Sequence, residues 1–177
     1  MTITGVLLMT MATTPLPTQD WVDLTRYAGR WYEIARLPNR FQQKCAGDVH
    51  ATYTLRPDGR VAVVNECRRE DGSVTRAEGV ARRARKDGTA SRLKVRFAPA
   101  ILSFLPSVWG DYWIVELDRE YRHAVVGDPS RRYLWILSRE PVMDAATYDA
   151  LAAAAGRQGF DTTRLVRTPQ SAPVTPR

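Results

Sequence analysis

A chain of 177 residues with 44% hydrophobic and 25% charged residues can build one globular domain with its own core. No stretch reaches the ~18 consecutive apolar residues of a membrane helix, which excludes that class of integral protein. The net charge of +7 rests on arginine, with only Lys44, Lys86 and Lys94 as lysines. A basic balance raises a nucleic-acid reading. The arginines are spread along the whole chain, however, and the densest group, Arg82-Arg83-Ala84-Arg85-Lys86, carries no interleaved aromatics. A solvated strand end fits it better and is compatible with mild attraction to anionic lipid head groups.

Residues 1–20 read as a weak or truncated signal or a disordered arm. Ile3 to Met11 is modestly apolar, and no lysine or arginine precedes Arg26. No cysteine lies before Trp21, so no acyl-anchoring site is expected there. A domain over 21–168 then opens on a helical turn that Asp23 can cap and Gly29 can end. Trp31 is delivered to the start of a strand over Arg30–Leu37. Alternating segments follow at Asp48–Arg56, Arg60–Arg68, Ser73–Arg83 and Ser91–Ala98, joined through Pro57-Asp58-Gly59, Asp71-Gly72 and Asp87-Gly88. Gly79 inside the fourth predicts a kink or bulge. After an apolar loop over Pro99–Gly110 come Asp111–Leu117, Tyr121–Gly127 and Arg132–Ser138. A helix over Ala145–Gln158 is capped by Asp144, places Tyr148, Leu151, Ala152 and Ala155 on one face, and stops at Gly159 with Phe160 behind it. Thr163–Arg167 can add one strand, and 169–177, with three prolines, reads as a disordered tail.

Eight strands with short links are antiparallel neighbours, and they most simply close into an up-and-down barrel with the helix packed outside. Such a barrel is wide enough for one small ligand. The meander sorts strand ends into two rims. Trp31 and Arg139 fall on the same rim, where a guanidinium over an indole face closes one end. Cys45 and Cys67, 22 residues apart, fall on the opposite rim. They suit a disulfide between neighbouring strands, although two free buried thiols fit the count equally. Ile101, Leu102, Phe104, Leu105 and Trp109 share that rim. They either line a mouth or touch a membrane surface, or else fold over their own barrel.

Alternation gives the inward candidates Ala35, Leu37, Val49, Ala51, Tyr53, Val61, Val63, Asn65, Leu93, Val95, Phe97, Tyr112, Ile114, Tyr121, His123 and Val125. A one-residue slip moves a whole strand's set to the other face. Asn65, Tyr53 and Tyr112 are head-group candidates, against the alternative of buried polar residues paired with backbone. The two histidines, His50 and His123, stand in no nucleophile or metal spacing, and no glycine-rich phosphate loop is present. No metal, cofactor or catalytic residue is therefore expected. An enzyme acting on a lipid or isoprenoid, or a haem binder on the same barrel, are the other readings; a cysteine nucleophile would need a free thiol.

Gly29-Arg30-Trp31, Asp118 with Tyr121, and Arg139 after the eighth strand resemble the three signature regions of lipocalins. The strings Trp31-Tyr32-Glu33-Ile34-Ala35-Arg36, Leu117-Asp118-Arg119-Glu120-Tyr121-Arg122-His123-Ala124 and Tyr133-Leu134-Trp135-Ile136-Leu137-Ser138-Arg139 are similar to bacterial lipocalins related to apolipoprotein D, over about Trp21 to Thr168. The resemblance implies a barrel with an apolar pocket for a fatty acid, lysophospholipid or similar lipid. It also implies outer-membrane association, through an anchoring cysteine in many bacterial members; without that cysteine a periplasmic or secreted form is expected, and monomer and homodimer both stay open.

Overall fold

The computed structural model describes residues 14–85 and 88–171. Ile3–Met11, Asp87 of the expected Asp87–Gly88 turn, and Pro173 and Pro176 of the expected tail lie outside the described residues. A one-turn helix, α1 (Leu24–Tyr27), precedes the strands β1 (Gly29–Arg36), β2 (Gly47–Leu55), β3 (Val61–Arg68), β4 (Val74–Arg83) and β5 (Arg92–Arg96). Then come β6 (Gly110–Leu117), β7 (His123–Gly127), β8 (Leu134–Ser138), the helix α2 (Ala145–Arg157) and a two-residue β9 (Val166–Arg167). Neighbouring strands pair antiparallel from β2 through to β8. β8 pairs β1, and β1 pairs β2, which closes the eight strands into a barrel.

Register decides which side chains enter the bore. The inner cluster holds Trp31, Tyr53, Val61, Val63, Ala81, Leu93, Ile114, Ala124, Val126 and Leu137. The outer cluster joins Ile34, Ala35, Leu37, Val115, Val125, Leu134 and Ile136 to Ala155, Phe160 and Met143 under α2. Two register shifts separate these sets, one between Glu33 and Ala35 on β1 and one between Ile114 and Glu116 on β6. A bulge adds one residue to a strand and reverses the facing of everything beyond it.

Gly79 differs from expectation. β4 runs through it without a register shift, Val63 opposite Gly79. A Cβ there would lie 2.7 Å from both Phe97 Cδ1 and Arg96 O, so the glycine makes room for the Phe97 ring instead of breaking the strand. Gly127 does the same for Phe160, whose ring lies 2.5 Å from where a Cβ would stand and carries the end of α2 onto β7.

The packed chain exceeds the expected boundaries at both ends. Leu16 is buried, Gln19 N donates to Ile114 O, and Arg131 reaches Thr14 O, so 14–20 lies on the barrel. Pro169 O accepts from Asp48 N, and Gln170 Nε2 donates to both Glu33 O and Val49 O, so 169–171 is held as well.

Cys45 and Cys67 form a disulfide that pins the β1–β2 loop to β3. Reduction, or the paired Cys45→Ser/Cys67→Ser change, is expected to lower Tm by roughly 5–10 °C in melts with and without reductant, from the ~3 kcal/mol of a bridge of this span.

Candidate functional site

One end of the barrel is shut by chemistry that starts in α1. Asp23 accepts a hydrogen bond from Thr25 N and caps the turn. Gly29 then takes a φ of +96°, which favours glycine and brings the chain into β1. Trp31 is 0% exposed, and its indole N–H donates to Tyr27 O at 2.8 Å. The Arg139 guanidinium lies 4.0 Å from the Trp31 ring centroid and donates to the carbonyls of Arg26, Tyr27, Arg30 and Tyr121. Asp118 Oδ1 accepts from Arg122 N and His123 N, fixing the turn between β6 and β7. Burial pushes the Asp118 carboxyl up, but those two N–H groups outweigh it and hold the carboxyl below its ordinary range.

Above this floor stand three tyrosines. Tyr112 Oη lies 2.8 Å from Tyr27 Oη and 2.9 Å from Tyr53 Oη, with Tyr112 as the hub. Burial pushes all three upward, Tyr53 to about 12. Tyr27 and Tyr53 are buried. Tyr112 packs against the same inner cluster but is only partly buried.

Ala51, Asn65, Val95 and Trp135 lie on inward faces and are only partly buried, and Ala77, opposite Asn65, is exposed, so side chains do not fully cover one another above the tyrosines. Asn65 Oδ1 has no hydrogen-bond partner there. Toward the mouth, the Glu33 carboxylate is 3% exposed and accepts from Arg36 Nη1 at 2.6 Å, from Thr168 Oγ1 at 2.5 Å and from Gln42 Nε2. Gln42 Oε1 in turn accepts from the Trp135 indole N–H at 2.9 Å. A buried carboxylate with this many donors is the arrangement that offsets its desolvation.

Of the expected bore residues, Ala51, Tyr53, Val63, Asn65, Val95, Tyr112 and Ile114 lie on inward faces. Phe97 sits against the inner side of Gly79 at the mouth. Ala35 and Leu37 do not line the bore: the Glu33/Ala35 bulge turns them outward into the cluster under α2. His123 and Val125 face outward too, because Leu117 pairs with Ala124 and Ala124 and Val126 take the inner positions. Tyr121 precedes β7 in a turn at φ +59° and belongs to the closed end, where its hydroxyl accepts from Asp23 N and Arg26 covers its ring at 4.1 Å. Tyr27, Glu33, Arg36, Gln42 and Trp135 escaped sequence reading. Alternation from Trp31 would have placed Glu33 inward; nothing local announces the others.

The open rim is apolar and exposed. Ile101 is 80% and Phe104 75% exposed, so these two side chains of the 99–109 loop do not fold onto the barrel, whereas Leu102 and Leu105 are more covered. Trp109 anchors that loop, its indole N–H donating to Ser103 O and its ring facing the guanidinium groups of Arg82 and Arg96.

The family profile of the lipocalin-like domain matches residues 22–170. The chain belongs to the lipocalin family. It is 46% identical over 151 residues to temperature-induced lipocalin-1 of Arabidopsis thaliana, covering 85% of this chain and 80% of the relative. It is 40% identical over 145 residues to the outer membrane lipoprotein Blc of Escherichia coli K12, covering 81% and 77%. Insecticyanin from the tobacco hornworm Manduca sexta superposes with a TM-score of 0.69 at 20% identity, over 89% of this chain and 85% of that one, which supports the fold. This lipocalin therefore shares a family of proteins that bind small hydrophobic ligands.

Two outcomes follow for the closed end of this lipocalin. Arg139→Met keeps much of the aliphatic stem but removes a donor from four carbonyls, of which Tyr27 O keeps the Trp31 N–H, and is expected to cost about 2–4 kcal/mol in urea unfolding. Arg139→Lys recovers only part, because one ammonium cannot reproduce the fork. The tyrosine trio sets an alkaline limit. With folded values raised, its stabilisation is complete below the ordinary value of 10.0 and is lost as pH rises toward about 12, where Tyr53 ionises. Ultraviolet titration should show late-ionising tyrosines that ionise together with unfolding.

Proposed function

We propose that this lipocalin binds a hydrophobic ligand, a fatty acid, lysophospholipid or similar lipid, and transports or stores it in the cell envelope in support of membrane maintenance. The observation that carries the reading is the closed barrel, shut at one end by Trp31 and Arg139, in which the small inward residues Ala51, Ala77 and Val95 stay accessible above Tyr112. Burying an acyl chain gains about 0.8 kcal/mol per methylene, about 10 kcal/mol gross for a long chain, from which immobilisation takes a large part. The relatives named outer membrane lipoproteins support an envelope location. Cys45 and Cys67 are bonded to each other, which removes the thiolate that a cysteine-nucleophile reading requires.

The rim supports a second part of the proposal, transient contact with a membrane surface through Ile101, Leu102, Phe104 and Leu105. Beside the mouth, Arg40, Arg131, Arg132 and Arg164 line a cleft of about 360 Å³ with Asp161 as its one carboxylate, a charge balance that suits anionic head groups.

Displacement of a fluorescent fatty acid, with native mass spectrometry of the purified protein, tests the binding. A copurifying lipid and saturable displacement are expected; neither appearing sinks the proposal. Ile101→Asp with Phe104→Asp should reduce co-sedimentation with anionic vesicles while leaving displacement intact.

A further inference from the structure

The hydroxyl trio has a proton left over. Three phenols bring three protons, and the two contacts at Tyr112 use two of them. No other protein acceptor meets these hydroxyls among the described residues. Three arrangements are possible, with the remaining proton on Tyr27, Tyr53 or Tyr112. Tyr27 and Tyr53 are buried among neighbouring side chains, and a donor stranded there has nothing to meet. Of the three, only Tyr112 is not fully buried, and it stands on an inward face. The satisfied arrangement has Tyr27 and Tyr53 both donating to Tyr112, whose own O–H points into the bore. Two donations into one oxygen polarise its remaining O–H and strengthen it as a donor.

The surroundings choose the acceptor. The nearest guanidinium, that of Arg139, lies beneath Trp31 with its N–H groups committed to backbone carbonyls. The Glu33–Arg36 pair stands at the mouth. The Arg139 charge reaches Tyr27 and Tyr112, but burial outweighs it and all three phenols are pushed upward, so an ionised head at the floor is disfavoured.

We infer that Tyr112 is a ligand-binding donor at the floor of the bore, and that the ligand enters with a neutral oxygen foremost: a ketone, an ester, an alcohol or an undissociated acid on an apolar chain. This rests on the bore binding proposed above and narrows its ligand class. A fatty acid seated this way is held protonated, whereas a lysophospholipid with its head at the mouth leaves the donor unused.

The test is displacement of a fluorescent bore probe at about pH 8 by 2-tridecanone, 1-dodecanol and dodecanoate, the last ionised, in the native protein, Tyr112→Phe and Tyr53→Phe. Tyr112→Phe should weaken the ketone and the alcohol about five-fold, the worth of one net hydrogen bond. It should leave dodecanoate unchanged. Tyr53→Phe should weaken the first two by less, since Tyr112 keeps its proton and loses only one polarising donor. The carbonyl stretch of isotope-labelled 2-tridecanone bound to the native protein should move to lower wavenumber than in hydrocarbon, a readout that does not depend on any variant folding. An unshifted stretch, or a ketone affinity indifferent to Tyr112→Phe, overturns the inference. Equal weakening of dodecanoate, with no proton taken up when it binds, overturns the neutral class. Should none of the three compounds displace the probe, the bore-binding proposal itself fails and takes this inference with it.

Discussion

Everything in this barrel leans on one guanidinium. Arg139 follows the last barrel strand, yet its nitrogen atoms serve carbonyls in α1, at the start of β1 and in the turn before β7, and its plane covers the Trp31 indole. A one-turn helix is too short to be stable alone, and its terminal carbonyls have no partners inside it. Arg139 and the Trp31 N–H supply those partners, so the floor exists because a side chain from the far end of the barrel wall reaches across it. Lysine could bring the charge but not the planar fork. Gly29 is part of the same constraint: a Cβ there would approach Arg139 Nη1 to 3.2 Å in a backbone conformation that side chains disfavour.

From that floor upward the bore changes character. Large rings fill the bottom, the hydroxyl trio caps them, and small side chains line the wall above. Asn65 adds one unpartnered amide oxygen to that wall, and toward the mouth Glu33, Arg36, Gln42 and Trp135 form one connected network. The outer face follows the opposite logic, with α2 covering β1, β6, β7 and β8 by an ordinary apolar contact.

The strand count, the order of rims, the disulfide partners and the Trp31–Arg139 pair were legible because each follows from short-range signals: turn residues, alternation and the parity of a meander. What failed was long-range phase. Nothing in Glu33-Ile34-Ala35 announces that the β1–β8 pairing slips there, yet that slip moves Ala35 and Leu37 to the outside. His123 and Val125 failed for a related reason, since the facing of β7 is set by Leu117 beyond the β6 bulge and not by Tyr121. Tyr53 and Tyr112 were visible as polar residues on inward faces. Their union with Tyr27 was not, because Tyr27 belongs to a helical turn whose docking depends on Arg139.

The wall at the mouth depends on the end of the chain for the same physical reason. β1 and β2 pair only from Gly29 to Tyr32, after which β1 diverges near its bulge. Two separated strands would each present unpaired N–H and C=O groups. Residues 166–171 enter that seam: β9 pairs Ala35 and Arg36, Thr168 N donates to Ile34 O, Pro169 O accepts from Asp48 N, and Gln170 bridges Glu33 O to Val49 O. Thr168 also donates to the Glu33 carboxylate. The bulge that turned Ala35 away from the bore thus opened the gap that the C-terminal segment fills, and the same segment helps to satisfy the buried charge beside it.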